Sequence, residues 1–161
     1  MSVITAEVLG DRELIVRFGR VGPQVHLAVV KAMHSLVIRL QAYVRGVKLS
    51  GDPLNRRKGT LSRSIGEQVE DQGGTILGRV GIFSGPTLVY GRAHEFGFHG
   101  TVQVREHLRT SKRGLTFPVR AHAMRMNLRE RSFLRSSLHE TEEAIRAVLL
   151  TAVQEGTRAT T

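Results

Sequence analysis

The chain has 161 residues, 40% of them hydrophobic, and a formal charge of +10, which suits one domain with enough apolar material for a real core. The absence of cysteine excludes a disulfide framework and thiolate chemistry. The N-terminus, MSVITAEVLGDRELIVRF, has no basic segment followed by an apolar run, so no signal peptide is expected, and no 18-residue apolar stretch is read that would span a membrane.

Residues 3–18 alternate roughly between apolar and polar and predict a first strand. From Val25 to Val47 the spacing turns helical. Val29, Met33, Leu36, Leu40, Tyr43 and Val47 form one stripe on a helix of roughly 35 Å. Residues 48–60, KLSGDPLNRRKGT, combine turn formers with four basic residues and read as a flexible loop. Leu61–Ile65 reads either as a helical turn or as the start of a strand. Two short strands, 64–70 and 75–83, follow as a hairpin turning on Asp71-Gln72-Gly73-Gly74. A second strand pair is expected at 101–105 and 115–123, around a flexible basic loop at about 106–114. Val119–Met126 alternates as a half-buried strand would. The last helix starts at Ser132 or at Ser137, which stands at capping-box spacing from Glu140. Its apolar face carries Leu134, Leu138, Ile145, Val148, Leu149 and Ala152. Residues 156–161 read as a frayed tail. The expected fold is α+β in a single domain: a small, mostly antiparallel sheet of four to five strands on one long helix, with a C-terminal amphipathic helix and long basic loops.

The stretch LVYGRAHEFGFH, residues 88–99, places His94, Glu95 and His99 close together. A zinc-protease helix needs two histidines four residues apart, on one helical face. Here the spacing is five, and Gly97 and Gly100 disfavour a helix. No third ligand is nominated, so no metal and no cofactor are expected. The acids are few, no close carboxylate pair is visible, and the glycines match neither a P-loop nor a dinucleotide fingerprint. The chain is therefore not expected to be an enzyme. Residues 90–98 read instead as a turn that determines shape, with Tyr90, Phe96 and Phe98 in contact roles. Glu95 is its anchor, and burial would demand a partner for it, with an arginine expected in that place.

The positive charge falls in two blocks. Residues 25–65 carry eight Lys/Arg against Asp52, and residues 105–135 carry nine against Glu106 and Glu130. Such blocks point to a polyanionic neighbour or to a solvated basic surface. With aromatics at only 5%, stacking on single strands is disfavoured.

Three pieces then stand in order: Asn55-Arg-Arg-Lys-Gly59-Thr-Leu61-Ser-Arg-Ser64-Ile65, Tyr90-Gly-Arg-Ala-His-Glu95-Phe96-Gly97, and Arg131-Ser-Phe133-Leu134-Arg-Ser-Ser-Leu138. Together they resemble the tail-component (tail-completion, head–tail joining, neck) proteins of long-tailed bacteriophages and prophages. Gly91, Phe98 and Ser132 depart from the usual Ala, Thr and Pro of that pattern. The resemblance implies a structural virion protein, assembled in the host bacterial cytoplasm and placed at the head–tail junction. Copies would form a sixfold ring beside neck, connector and tail-tube proteins, around the DNA exit path and without a membrane. In that setting Arg56, Arg57, Lys58, Arg109, Lys112 and Arg113 would meet the lumen or a neighbouring subunit, with non-specific contact to exiting DNA. The alternative reading is a basic nucleic-acid-binding module.

Overall fold

Pro23 opens helix α1 (Pro23–Tyr43) at its first turn, where the missing N–H breaks no helical hydrogen bond. The computed structural model describes residues 5–9, 13–17, 22–51, 53–55, 58–72 and 74–158. Helix α1 runs on into a π-helical turn, Val44–Lys48. Val25, Val29, Met33, Leu36 and Val37 are buried along its inner face, and Val44 continues them. The stripe expected to reach Val47 ends at Val44, because the wider π turn puts later residues out of phase. Val47 is 47% exposed.

The helical stretch Pro23–Lys48 is long and apolar enough, by length and composition alone, to cross a membrane, with an 18-residue window of mean hydropathy 1.3. This corrects the reading that no such stretch exists. A helix that forms one side of a core meets the same criterion, since its inner face must be apolar.

Among the described residues there are eight strands in three antiparallel sheets rather than one sheet of four or five. The main sheet contains β1 (Thr5–Leu9), β2 (Glu13–Arg17), β3 (Gly66–Asp71) and β4 (Thr75–Gly81), in the order β1-β2-β4-β3. The single strand expected over 3–18 is thus a pair, with Thr5 opposite Arg17 and Leu9 opposite Glu13. The 61–65 stretch is helical, α2 (Thr60–Ser64), so the next strand starts at Gly66 and not at Ser64.

Helix α4 (Leu134–Arg158) lies along α1. Leu134, Leu138, Ile145, Leu149 and Ala152 are buried in one cluster with α1, Ile76 and Val80 of β4, Ile82 and Phe133, and Val148 packs against that cluster. The tail expected to fray from 156 is still helical to Arg158, and residues 159–161 lie outside the described ones. At Gly156 the two helices approach so closely that an added Cβ would stand 2.5 Å from the Cα of Val25. At the other end, Glu140 accepts hydrogen bonds from the Tyr43 hydroxyl and the Lys48 ammonium, each at 2.6 Å. The Lys48 bond first, and then the Tyr43 bond, holds the Glu140 carboxyl below its ordinary pKa.

Candidate functional site

The stretch expected to be a turn is a ten-residue helix, α3 (Thr87–Phe96). Its inner face runs Leu88, Gly91, Glu95, a 3–4 spacing that carries a glycine and an acid where an amphipathic pattern would show apolar residues. Gly97, read above as a reason against helix, is what ends it. At φ 75° it adopts a conformation that glycine takes without penalty, and the chain leaves as a strand.

Glu95 is only 1% exposed. One carboxylate oxygen, Oε2, accepts the backbone N–H groups of Phe133 and Leu134, each at 2.9 Å. Oε1 accepts the Arg135 N–H and the Ser132 hydroxyl, also at 2.9 Å. These are the orphan donors at the start of α4, so a side chain from a helix about 40 residues earlier supplies the cap. The negative charge also sits at the positive end of the helix dipole. The arginine expected beside Glu95 is present, but as a lesser partner: Arg135 Nε lies 3.4 Å from Oε1. The Arg135 guanidinium also lies 4.9 Å over the Phe96 ring and donates to Glu130 and to the Glu95 carbonyl. Ser132, not Ser137, marks the start of α4. Ser137 lies within the helix, buried, and donates to the Phe133 carbonyl, so the capping-box reading is corrected. The recess beside Glu95, lined by Ile82, Leu88, Gly91, Phe133 and Leu134 among others, holds about 10 Å³. That is about the room one water needs.

His94 faces a different side. It is buried, its ring meets Tyr90 edge-on at 4.4 Å, and neither ring nitrogen has a hydrogen-bond partner among the described residues. His99 stands on the next strand and is exposed, so the two histidines do not converge. Among the described residues no three His, Asp or Glu side chains form a metal-holding group. Burial, and then the nearby Arg131 charge, pushes the His94 pKa down. A base whose folded pKa is lowered binds fewer protons folded than unfolded below about pH 6.5, so it costs stability as the pH falls through that region. Wild type is expected to lose stability relative to His94→Leu between pH 7 and pH 5. Urea denaturation at several pH values measures it, and a flat difference curve would refute the assignment.

Beyond α3 the chain forms a two-part ribbon. β5 (Phe98–Val104) pairs with β8 (His122–Leu128), and β6 (His107–Thr110) pairs with β7 (Thr116–Val119). The second pair expected at 101–105 and 115–123 thus becomes two pairs. The 106–114 stretch, expected to be a loop, consists largely of β6 and the turn that follows. Both strands break at the same level, at 105–106 and 120–121. There His107 Nδ1 and His122 Nδ1 each contact the carbonyl two residues before, at 2.9 Å. The Val119–Met126 strand expected to be half-buried is interrupted by this joint and mostly exposed. A two-stranded ribbon with no other element packed extensively over it among the described residues has little to bury against.

The lower ribbon has two unlike faces. Phe98, Gly100, Val102 and Val104 stand opposite Leu128, Met126, Met124 and His122, which makes a largely apolar face. His99, Thr101 and Gln103 stand opposite Asn127, Arg125 and Ala123, and all six are exposed. Toward the tip, Leu108 is 72% exposed and Leu115 69%.

Of the sequence-nominated residues, Gly59 caps α2 at φ 70°, Leu61 lies near Gly91 and Ile65 is fully buried. Ser64 donates to the Leu61 carbonyl. Glu95, Phe133, Leu134 and Leu138 gather around the start of α4, while Tyr90 and Phe96 remain half-exposed on α3. Arg109, Lys112 and Arg113 are exposed on the ribbon, Lys58 is exposed before α2, and Arg56 and Arg57 lie outside the described residues. The ribbon joint and the backbone donors of α4 were not foreseen, since a strand pair and a set of N–H groups leave no residue signature. No known family, curated protein or solved structure matches the chain.

Proposed function

We propose that this chain is a structural subunit of a phage head–tail junction, a neck or tail-completion component whose copies form a ring joining tail to head around the DNA exit path. The observation that carries the reading is the convergence at Glu95. All three stretches that resemble the phage family belong to one mechanical unit: Leu61 of α2 lies beside Gly91 of α3, and Glu95 of α3 caps α4 at Phe133 and Leu134. A carboxylate saturated by hydrogen-bond donors holds a shape and has no lone pair aimed at a substrate. The His and Glu of residues 88–99, which invite a chemical reading, thereby become architecture.

The ribbon supplies the contact surface for assembly. Its apolar face and exposed tip leucines are what a subunit interface covers, and an arm crossing to a neighbour makes a head-to-tail contact that closes into a ring. The double variant Val102→Asp/Met124→Asp is expected to abolish oligomers in light scattering while the far-UV circular dichroism stays native. Phage lacking the protein is expected to yield filled heads and finished tails that do not join, visible by electron microscopy. Joined particles in its absence would refute the role.

A further inference from the structure

The ribbon's polar side has no use in the assembly just described. Six Lys/Arg lie between residues 105 and 125 against a single acid, Glu106. Arg105, Arg109, Lys112, Arg113, Arg120 and Arg125 are all exposed, and none has an ion pair among the described residues. Several charges elsewhere are paired, Lys48 with Glu140, Arg79 with Glu70, Arg135 with Glu95 and Glu130, and Arg146 with Glu142. Cations without an ion pair among the described residues, such as Lys31, Arg39 and Arg63, are spread along α1 and α2 rather than gathered on one element. Unpaired cations repel one another; a phosphate backbone neutralises them, and the association gains free energy from the condensed counterions it releases.

We infer that the ribbon grips duplex DNA through its phosphate backbone, with the His99, Thr101, Gln103, Arg125 and Asn127 face toward the nucleic acid and the apolar face turned away. Geometry favours the duplex. A two-stranded antiparallel ribbon is one of the few elements that fit the major groove. Each strand of the whole ribbon runs from Phe98 to Thr110, or from Thr116 to Leu128, about 40 Å at roughly 3.3 Å per residue. Thr, Gln, Asn and Arg side chains on one face are the usual donors to phosphate oxygens. The lower ribbon's polar face carries no Phe, Tyr or Trp to stack unpaired bases, since Phe98 belongs to the other face, and toward the tip Phe117, opposite Arg109, is a single ring rather than a stacking series. The contact needs no ring, so its success or failure is separate from that of the joining role.

The test uses the full chain and a fluorescent 30-base-pair duplex of arbitrary sequence, titrated by anisotropy from 50 to 200 mM salt. Log affinity is expected to fall linearly with log salt, by about 0.9 per phosphate contacted. The triple variant Arg109→Gln/Lys112→Gln/Arg113→Gln should shallow that slope by about 2.7, three contacts' worth. The equal charge loss Lys31→Gln/Arg39→Gln/Arg63→Gln, away from the ribbon, should leave it unchanged. Equal losses in both variants, or none in the first, would overturn the inference. So would single-stranded DNA binding as tightly as the duplex. Sizing of the same samples provides the remaining arm. If the ribbon variant changes the oligomer mass and not the salt slope, these cations serve a second copy of the chain and the DNA contact is refuted. If the protein stays monomeric yet shows the ribbon-dependent slope, the DNA contact stands and the ring does not.

Discussion

Replacing Glu95 by alanine is expected to lower the stability of the protein by about 3–5 kcal/mol, among the largest losses any single substitution here would produce. The truncation strips the N–H groups of Phe133, Leu134 and Arg135 of their acceptor. Two of those hydrogen bonds are fully buried, and an abandoned buried donor costs about 1–3 kcal/mol. The loss of favourable charge at the N-terminus of α4 adds to it. For a domain of this size the melting temperature should fall by roughly 6–20 °C. Glu95→Gln keeps one acceptor oxygen and should lose less, although its amide group then faces donors. Thermal and urea denaturation followed by circular dichroism checks the series. Alanine at this position within about 0.5 kcal/mol of wild type would show that the cap is not what holds α4, and would remove the main support for reading Glu95 as architecture.

Phe133→Ala carries the second large effect, about 3–5 kcal/mol. The side chain is fully buried and is the largest of those so placed among the described residues. It lines the recess between α3 and α4 with Ile82, Leu88 and Leu134. Its removal withdraws apolar area and leaves a cavity between elements whose spacing is set by the Glu95 hydrogen bonds, so the walls cannot close fully. Phe133→Leu should cost markedly less. The two positions are neighbours in one latch, because the Phe133 N–H is itself a ligand of Glu95. The double variant Glu95→Ala/Phe133→Ala should therefore lose less than the sum of the two, and a double-mutant cycle in urea measures that coupling. Strict additivity would mean that the latch is two independent contacts.

Much of the helical skeleton was legible in the residues. The stripe of α1 and the apolar face of α4 follow from a 3.6-residue period, because each helix buries one continuous face. The β3–β4 hairpin follows from the turn formers at 71–74 between two apolar runs. The ribbon was half legible: its strands alternate, but a two-residue joint in each strand does not disturb alternation enough to be read. Helix α3 was not legible at all. Its inward positions are Gly91 and Glu95, chosen for close approach and for hydrogen bonding, and neither registers as hydrophobic periodicity.

By itself the sequence determined composition-level facts and local ones: a basic chain without thiols, two long amphipathic helices, a hairpin, and an acid at 95 that would want a partner if buried. What that partner is, only the tertiary structure decided. The donors are backbone groups of α4, and backbone N–H groups are the same at every residue, so no sequence pattern can announce them. The same holds for the two faces of the ribbon. Alternation assigns residues to opposite sides of a strand, but which side is left to solvent depends on what else in the fold comes to cover it.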